Sequence, residues 1–167
     1  MRRMFAGLGA LLFFFIAPGT VAGLVPWWIA GGRMNAPFLG TPATRSVGVL
    51  LVVAGLVPLV ESFFRFVMKG LGTPAPVFPT QHLVVSGFYC HVRNPMYVGV
   101  FAVILGDALV LGSRAVLGYA LLVWLGFFLF VLLYEEPTLR RSFGAEYEDF
   151  CRHVPRWLPR LTPWRGG

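Results

Sequence analysis

Apolar residues fall along this chain in long uninterrupted runs, and the polar residues gather in a few short clusters between them. Runs of this kind suit lipid-facing helices, because about 20 apolar residues cross a hydrocarbon core of about 30 Å. The first run, Phe5 to Gly32, carries no charge, and Pro18 and Pro26 predict a kink and an end. Arg2 and Arg3 could open a signal peptide, but the run is long and lacks a convincing small-residue cleavage site, so a retained anchor is expected. After the loop GGRMNAPFLGTPATR a second apolar segment extends from about Val47 to Met68. Residues Lys69 to Pro95 are too polar and too broken to cross, with Pro74, Pro76 and Pro79 in close succession. A third apolar stretch, Met96 to Gly112, is separated by little more than Gly-Ser-Arg from the charge-free run Ala115 to Tyr134. So short a connection predicts an antiparallel helical hairpin.

The tail PTLRRSFGAEYEDFCRHV changes the pattern. Leu139, Phe143, Tyr147 and Phe150 recur at helical spacing among charged positions, and Pro137 is a favoured first helical residue. This predicts an amphipathic helix lying against the membrane interface, followed by PRWLPRLTPW, whose prolines punctuate and whose tryptophans suit the interfacial belt. The fold expected is an all-α membrane protein with about four transmembrane helices, a C-terminal helical hairpin and an interfacial tail helix. One integral membrane domain covers 1–167, with N-terminal spans and a loop over 1–79 and a second region over 80–160 that holds the hairpin, the polar cluster before it and the tail.

Composition agrees: 57% of residues are hydrophobic and 13% charged, with a mean hydropathy of +0.73. The net charge of +7 raises nucleic acid as a partner. Its basic residues are scattered at segment ends, never in a dense block interleaved with aromatics, so no nucleic-acid partner is expected. Membrane orientation explains them better. With four spans and a cytoplasmic N-terminus, Arg2, Arg3, Arg65, Lys69, Arg93 and the six arginines from Arg140 to Arg165 lie inside, against Arg33, Arg45 and Arg114 outside. That positive-inside pattern predicts a protein of the cell inner membrane with both termini cytoplasmic.

Two constellations carry the chemistry. QHLVVSGFYCHVRNPMY gathers histidine, arginine, asparagine and tyrosines at the end of the long loop, and Glu135 and Glu136 end the last apolar run. Adjacent carboxylates at the C-terminal end of a helix repel each other and meet the negative end of its dipole, so a cation or several donors must offset them. Arg93 could do so as a structural clasp; a bound ligand with hydroxyls or amines is the other reading. Tyr89 and Tyr97 would supply apolar walls with polar tips. Glu61 and Arg65, four apart with the acid first, form an interfacial ion pair or enter catalysis directly. Asp107 is an intramembrane carboxylate or lies near the outer interface, and its role is open. His82, His91 and His153 have no metal-ligand spacing, so no metal is expected. His82 or His91 could relay a proton, and Cys90 and Cys151 read as reduced thiols. There is no glycine-rich phosphate loop and no nucleophilic triad order.

The motif QHLVVSGFYCHVRNPMYVG, a hairpin of about forty residues and then EEPTLRRSFGAEYEDFCRHVPRWLP resemble the isoprenylcysteine carboxyl methyltransferases and the wider phospholipid methyltransferase-like group, over roughly residues 80 to 160. The resemblance implies a membrane enzyme that takes S-adenosyl-L-methionine from the cytoplasm and methylates a lipophilic small molecule or lipidated substrate from the bilayer, with membrane lipids around it. It implies cofactor contacts at Gln81, His82, Leu83, Val84, Tyr89, Asn94, Pro95, Met96, Tyr97 and Glu135, with Glu136 completing the pair and Arg93 in support. No catalytic nucleophile is implied, since the cofactor carries the reactivity. Two positions depart from the family pattern. Asn94 stands where many members have histidine, and Val131 stands where members acting on prenylcysteine carry an arginine thought to face the substrate carboxylate. The acceptor atom and the lipid are left open. Phospholipid or amine N-methylation is one alternative. An NADPH-dependent membrane reductase of the steroid-reductase type is another, although only Arg93, Arg140 and Arg141 could meet its phosphate, and a non-catalytic clasp is a third.

Overall fold

A computed structural model describes residues 16–68 and 83–165. The expectations for Arg2 and Arg3, the start of the first span, the proline series and the pair Gln81 and His82 lie outside the described residues. Among the described residues every regular element is helical. They form α1 (Ile16–Ile29), α2 (Ala43–Met68), α3 (Pro95–Leu111), α4 (Arg114–Phe130) and α5 (Glu136–His153), with short 3-10 turns at Phe38–Gly40 and Gly87–Cys90. Ala43–Arg65 and Arg114–His153 are long and apolar enough to cross a membrane, and α1 and α3 are shorter apolar helices.

The largest helix–helix interface joins α2 and α3. Glycines seven apart on each helix face each other there, antiparallel, Gly48 against Gly106 and Gly55 against Gly99. A Cβ on Gly55 would lie 2.6 Å from the Gly99 carbonyl oxygen, and one on Gly48 2.7 Å from that of Gly106. The backbones therefore approach as closely as small residues allow, which is how helices gain dispersion contact where lipid removes the hydrophobic drive. Beside this seam Leu59, Val100, Val103, Ile104, Ala108, Val116 and Ala120 form a buried core that takes in Ala22 and Ala30.

The hairpin forms as expected. Gly112 ends α3 in the left-handed region (φ 61°), where an added Cβ would collide with the Ala36 carbonyl, and Ser113 caps α4 by accepting from Val116 N at 3.4 Å. Tyr119 Oη donates to Val21 O at 2.9 Å, tying α4 to α1. Beyond α4 the structure corrects one expectation. Glu135 and Glu136 do not end a helix: the chain stays helical through a wide turn, Val131–Glu135, in which Glu136 N bonds back to Val131 O, and runs on to His153. The carboxylates therefore do not meet an exposed negative dipole end, and Glu136 with Pro137 opens the first turn of α5. Gly144 (φ 50°, ψ −122°) bends α5. Its inner face, Tyr147 and Phe150 with Val154, packs on Leu83, Val85 and Trp164 in a second buried cluster.

Candidate functional site

The N-terminal end of α3 and the wide turn after α4 meet at the polar end of the bundle. Pro95, at the first position of α3, needs no N–H partner there and sets the helix entrance, which places Tyr97 in the first turn. Tyr97 Oη donates to Glu135 Oε2 at 2.9 Å. Its ring lies against Phe127 (centroids 4.7 Å apart) and edge-on to Phe130 (6.5 Å), so an apolar aromatic wall adjoins a carboxylate. Tyr89 belongs to the same group. Burial, then the negative charges of Glu135 and Glu61, push its phenol well above the ordinary tyrosine range, so it meets that carboxylate as a neutral hydroxyl.

Glu136 faces a different environment. It is 2% exposed and accepts from Arg93 Nη1 (3.0 Å), Arg156 Nε and Nη2 (2.5 and 2.9 Å) and Arg140 Nη1 (3.3 Å). The cation that the sequence demanded is thus present threefold, and it serves Glu136. The fork of Arg156 matches the carboxylate bidentately, and the hydrogen bond to Glu136 raises its already high pKa. Arg93 also donates to Cys151 Sγ at 2.8 Å.

The remaining candidates distribute around these two carboxylates. Asn94, 8% exposed, spends Nδ2 on Arg156 O at 3.1 Å. Val84 is buried, Leu83 packs on the tail cluster and Met96 packs on the main core. His91 Nδ1 lies 2.8 Å from Arg160 O, so this histidine engages the C-terminal segment. Glu61 and Arg65 do pair, and they do so directly against Gly87, whose φ of 62° and missing Cβ allow the close approach. Asp107 is not brought to the site: it sits twelve residues beyond Pro95, about 18 Å along α3. Val131 is 1% exposed. A cavity of about 710 Å³ opens between Glu61, Leu83, Ser86, Phe88, His91 and Trp164. Of the described cofactor candidates Leu83 alone lines it. Among the described residues no three His, Cys, Asp or Glu side chains are grouped to hold a metal.

Arg156 was missed by sequence reasoning, which saw its segment only as proline punctuation around tryptophans. The unpaired charge of Glu136 was the available signal: it demanded a cation, and every arginine of the tail was eligible.

The match of this chain to known proteins follows the same region. The phospholipid methyltransferase family matches residues 43–146, and the chain belongs to it. Over 80 residues it is 38% identical to the protein-S-isoprenylcysteine O-methyltransferase of Schizosaccharomyces pombe, covering 47% of this chain and 34% of that protein. It is 42% identical over 82 residues to that of Mus musculus (48% and 28% covered). A longer match, 32% over 136 residues, reaches protein-S-isoprenylcysteine O-methyltransferase B of Arabidopsis thaliana, covering 80% of this chain and 60% of that protein. The chain thus spans between 28% and 60% of the length of these relatives. Family and apolar helices together mark an integral membrane protein.

Proposed function

We propose that this chain is a membrane methyltransferase that uses S-adenosylmethionine and transfers methyl to a lipophilic acceptor, in the manner of the isoprenylcysteine O-methyltransferases it is similar to. The observation that carries the reading is the Tyr97–Glu135 hydrogen bond beside Tyr89, which joins the two motif halves across 38 residues of sequence. The donor set fits the cofactor: a carboxylate to accept from hydroxyls or an amine, phenol hydroxyls, and aromatic faces. Leu83, Val84, Tyr89, Asn94, Pro95, Met96, Tyr97 and Glu135, with Gln81 and His82, would hold it. Bound there, the cofactor supplies an electrophilic methyl group on a sulfonium. The protein's part is orientation and exclusion of water. Glu135 fixes polar groups at the boundary between loop and bundle. Phe127 and Phe130 keep the neighbouring space dry. Glu136, saturated by arginines, holds Arg93 and hence the loop.

In this reading four spans place the site at the cytoplasmic face of the inner membrane, with both termini inside and the tail helix on the interface. The acceptor approaches from the bilayer, and the buried Val131 offers no charge to a substrate carboxylate. Calorimetry of the detergent-purified protein with S-adenosylhomocysteine tests the proposal. Micromolar binding lost in Glu135→Ala is expected. Absence of binding, or binding that Glu135→Ala leaves intact, overturns it, and thermal stabilisation by NADPH instead would install the reductase.

A further inference from the structure

The chain from Pro155 to Trp164 runs beside Cys90 to Asn94 as a strap. Arg93 N donates to Pro155 O (2.9 Å), Asn94 Nδ2 to Arg156 O (3.1 Å), Arg160 N to His91 O (2.9 Å) and Trp164 N to Cys90 O (3.0 Å). The strap therefore fixes, largely through main-chain bonds, the loop that connects Tyr89 to Tyr97. Trp157 anchors it in the bundle. Its ring lies 4.6 Å from that of Trp124 and 6.2 Å from that of Phe128, and Trp124 in turn meets Phe101 at 4.7 Å. Trp124 precedes Glu135 by eleven residues, about 16 Å of helix. The anchor thus reaches well into the depth of the apolar helices.

Beside that anchor two leucines turn outward, Leu158 at 80% and Leu161 at 98% exposure. Leucines so placed next to a ring seated against an apolar helix are unfavourable in water and favourable at an acyl boundary. The surrounding charge selects the kind of bilayer. Residues 137–165 carry six arginines against Glu146, Glu148 and Asp149, and Arg141 and Arg152 are exposed. Such a segment is drawn to an anionic leaflet.

We propose that Leu158 and Leu161 seat the strap in an anionic leaflet and that this contact sets how firmly the strap holds the loop from Cys90 to Asn94. The lipid contact stands on its own geometry. Its effect on ligand affinity rests on the cofactor site proposed above.

The test uses the full chain in nanodiscs of phosphatidylcholine alone and of phosphatidylcholine with phosphatidylglycerol. Hydrogen exchange of the peptide from Cys90 to Tyr97 is expected to slow about tenfold in the anionic discs. Leu158→Ser/Leu161→Ser should abolish the difference. Arg141→Gln/Arg152→Gln, which alters only exposed side chains, should reduce it and carries the test if the leucine variant does not fold. Equal exchange in the two lipids overturns the proposal. So does protection that follows the number of protein copies per disc rather than lipid charge, which would assign the leucines to a second copy. S-adenosylhomocysteine should bind about fivefold tighter in the anionic discs. Equal affinity alongside lipid-dependent exchange overturns the coupling, whereas no binding in either lipid with exchange still responsive overturns the methyltransferase reading and leaves the lipid contact standing.

Discussion

The α2–α3 seam and the polar end of the bundle both bring distant parts of the chain together, by opposite means. At the seam glycines remove side chains until backbones touch, and the atoms that crowd them are backbone and aliphatic carbon. At the polar end long side chains reach across 43 and 20 residues of sequence to one carboxylate, Glu136. The seam tolerates no added atom, while the polar end depends on the buried charge of Glu136 and its partner Arg93. A rigid frame built without chemistry thus leaves the chemistry to a cluster whose members can be tested one at a time.

The sharpest test of that contrast is Gly55→Leu. Its side chain must displace the Gly99 backbone, so a loss of more than about 3 kcal/mol is expected, seen as a failure to recover monodisperse protein from detergent. Next come the two glutamates. Glu136→Leu leaves Arg93 buried without its partner and should cost about 3 kcal/mol in a chemical-denaturation series. Glu135→Leu should stay within about 1 kcal/mol of wild type while losing S-adenosylhomocysteine binding. If the two exchange effects, structural and ligand roles have been assigned to the wrong carboxylates. Gly87→Ala probes the join between frame and site. It forces a Cβ into the left-handed region against the Glu61–Arg65 pair, and about 1 kcal/mol of stability with a measurable loss of ligand affinity is expected. The smallest effect belongs to Arg140→Gln, whose side chain is 42% exposed: a thermal scan should detect under about 0.5 kcal/mol.

Much of this was legible in the sequence because its signals are local. Apolar runs, Gly112 and Ser113 at the hairpin turn, and Pro95 at the head of a helix each act over a few residues. Tyr97 and Glu135 were expected together through motif resemblance, and the structure places them in contact. The glycine seam was present as two pairs at a spacing of seven, but a glycine in an apolar run also reads as ordinary composition, and only the facing helix distinguishes the two. Glu136 shows the limit most clearly. The sequence required a counter-charge and offered Arg93, whereas the best-aligned partner, Arg156, lies beyond a bent helix whose geometry no local rule supplies. The same holds for the end of α4, where a change from apolar to charged residues looks like a helix terminus and is in fact a wide turn within continuous helix.

That turn has a consequence for how the chain length could vary. Between Val131 and Glu135 the helix stores one residue more than its regular repeat requires, as the bond from Glu136 N to Val131 O records. A deletion there would be absorbed by tightening the turn, leaving Tyr97 opposite its glutamate and the arginines opposite theirs. The same deletion one turn earlier, in regular helix, would swing both carboxylates by about 100°. This short stretch is therefore where the chain can lose a residue without losing the alignment of the site.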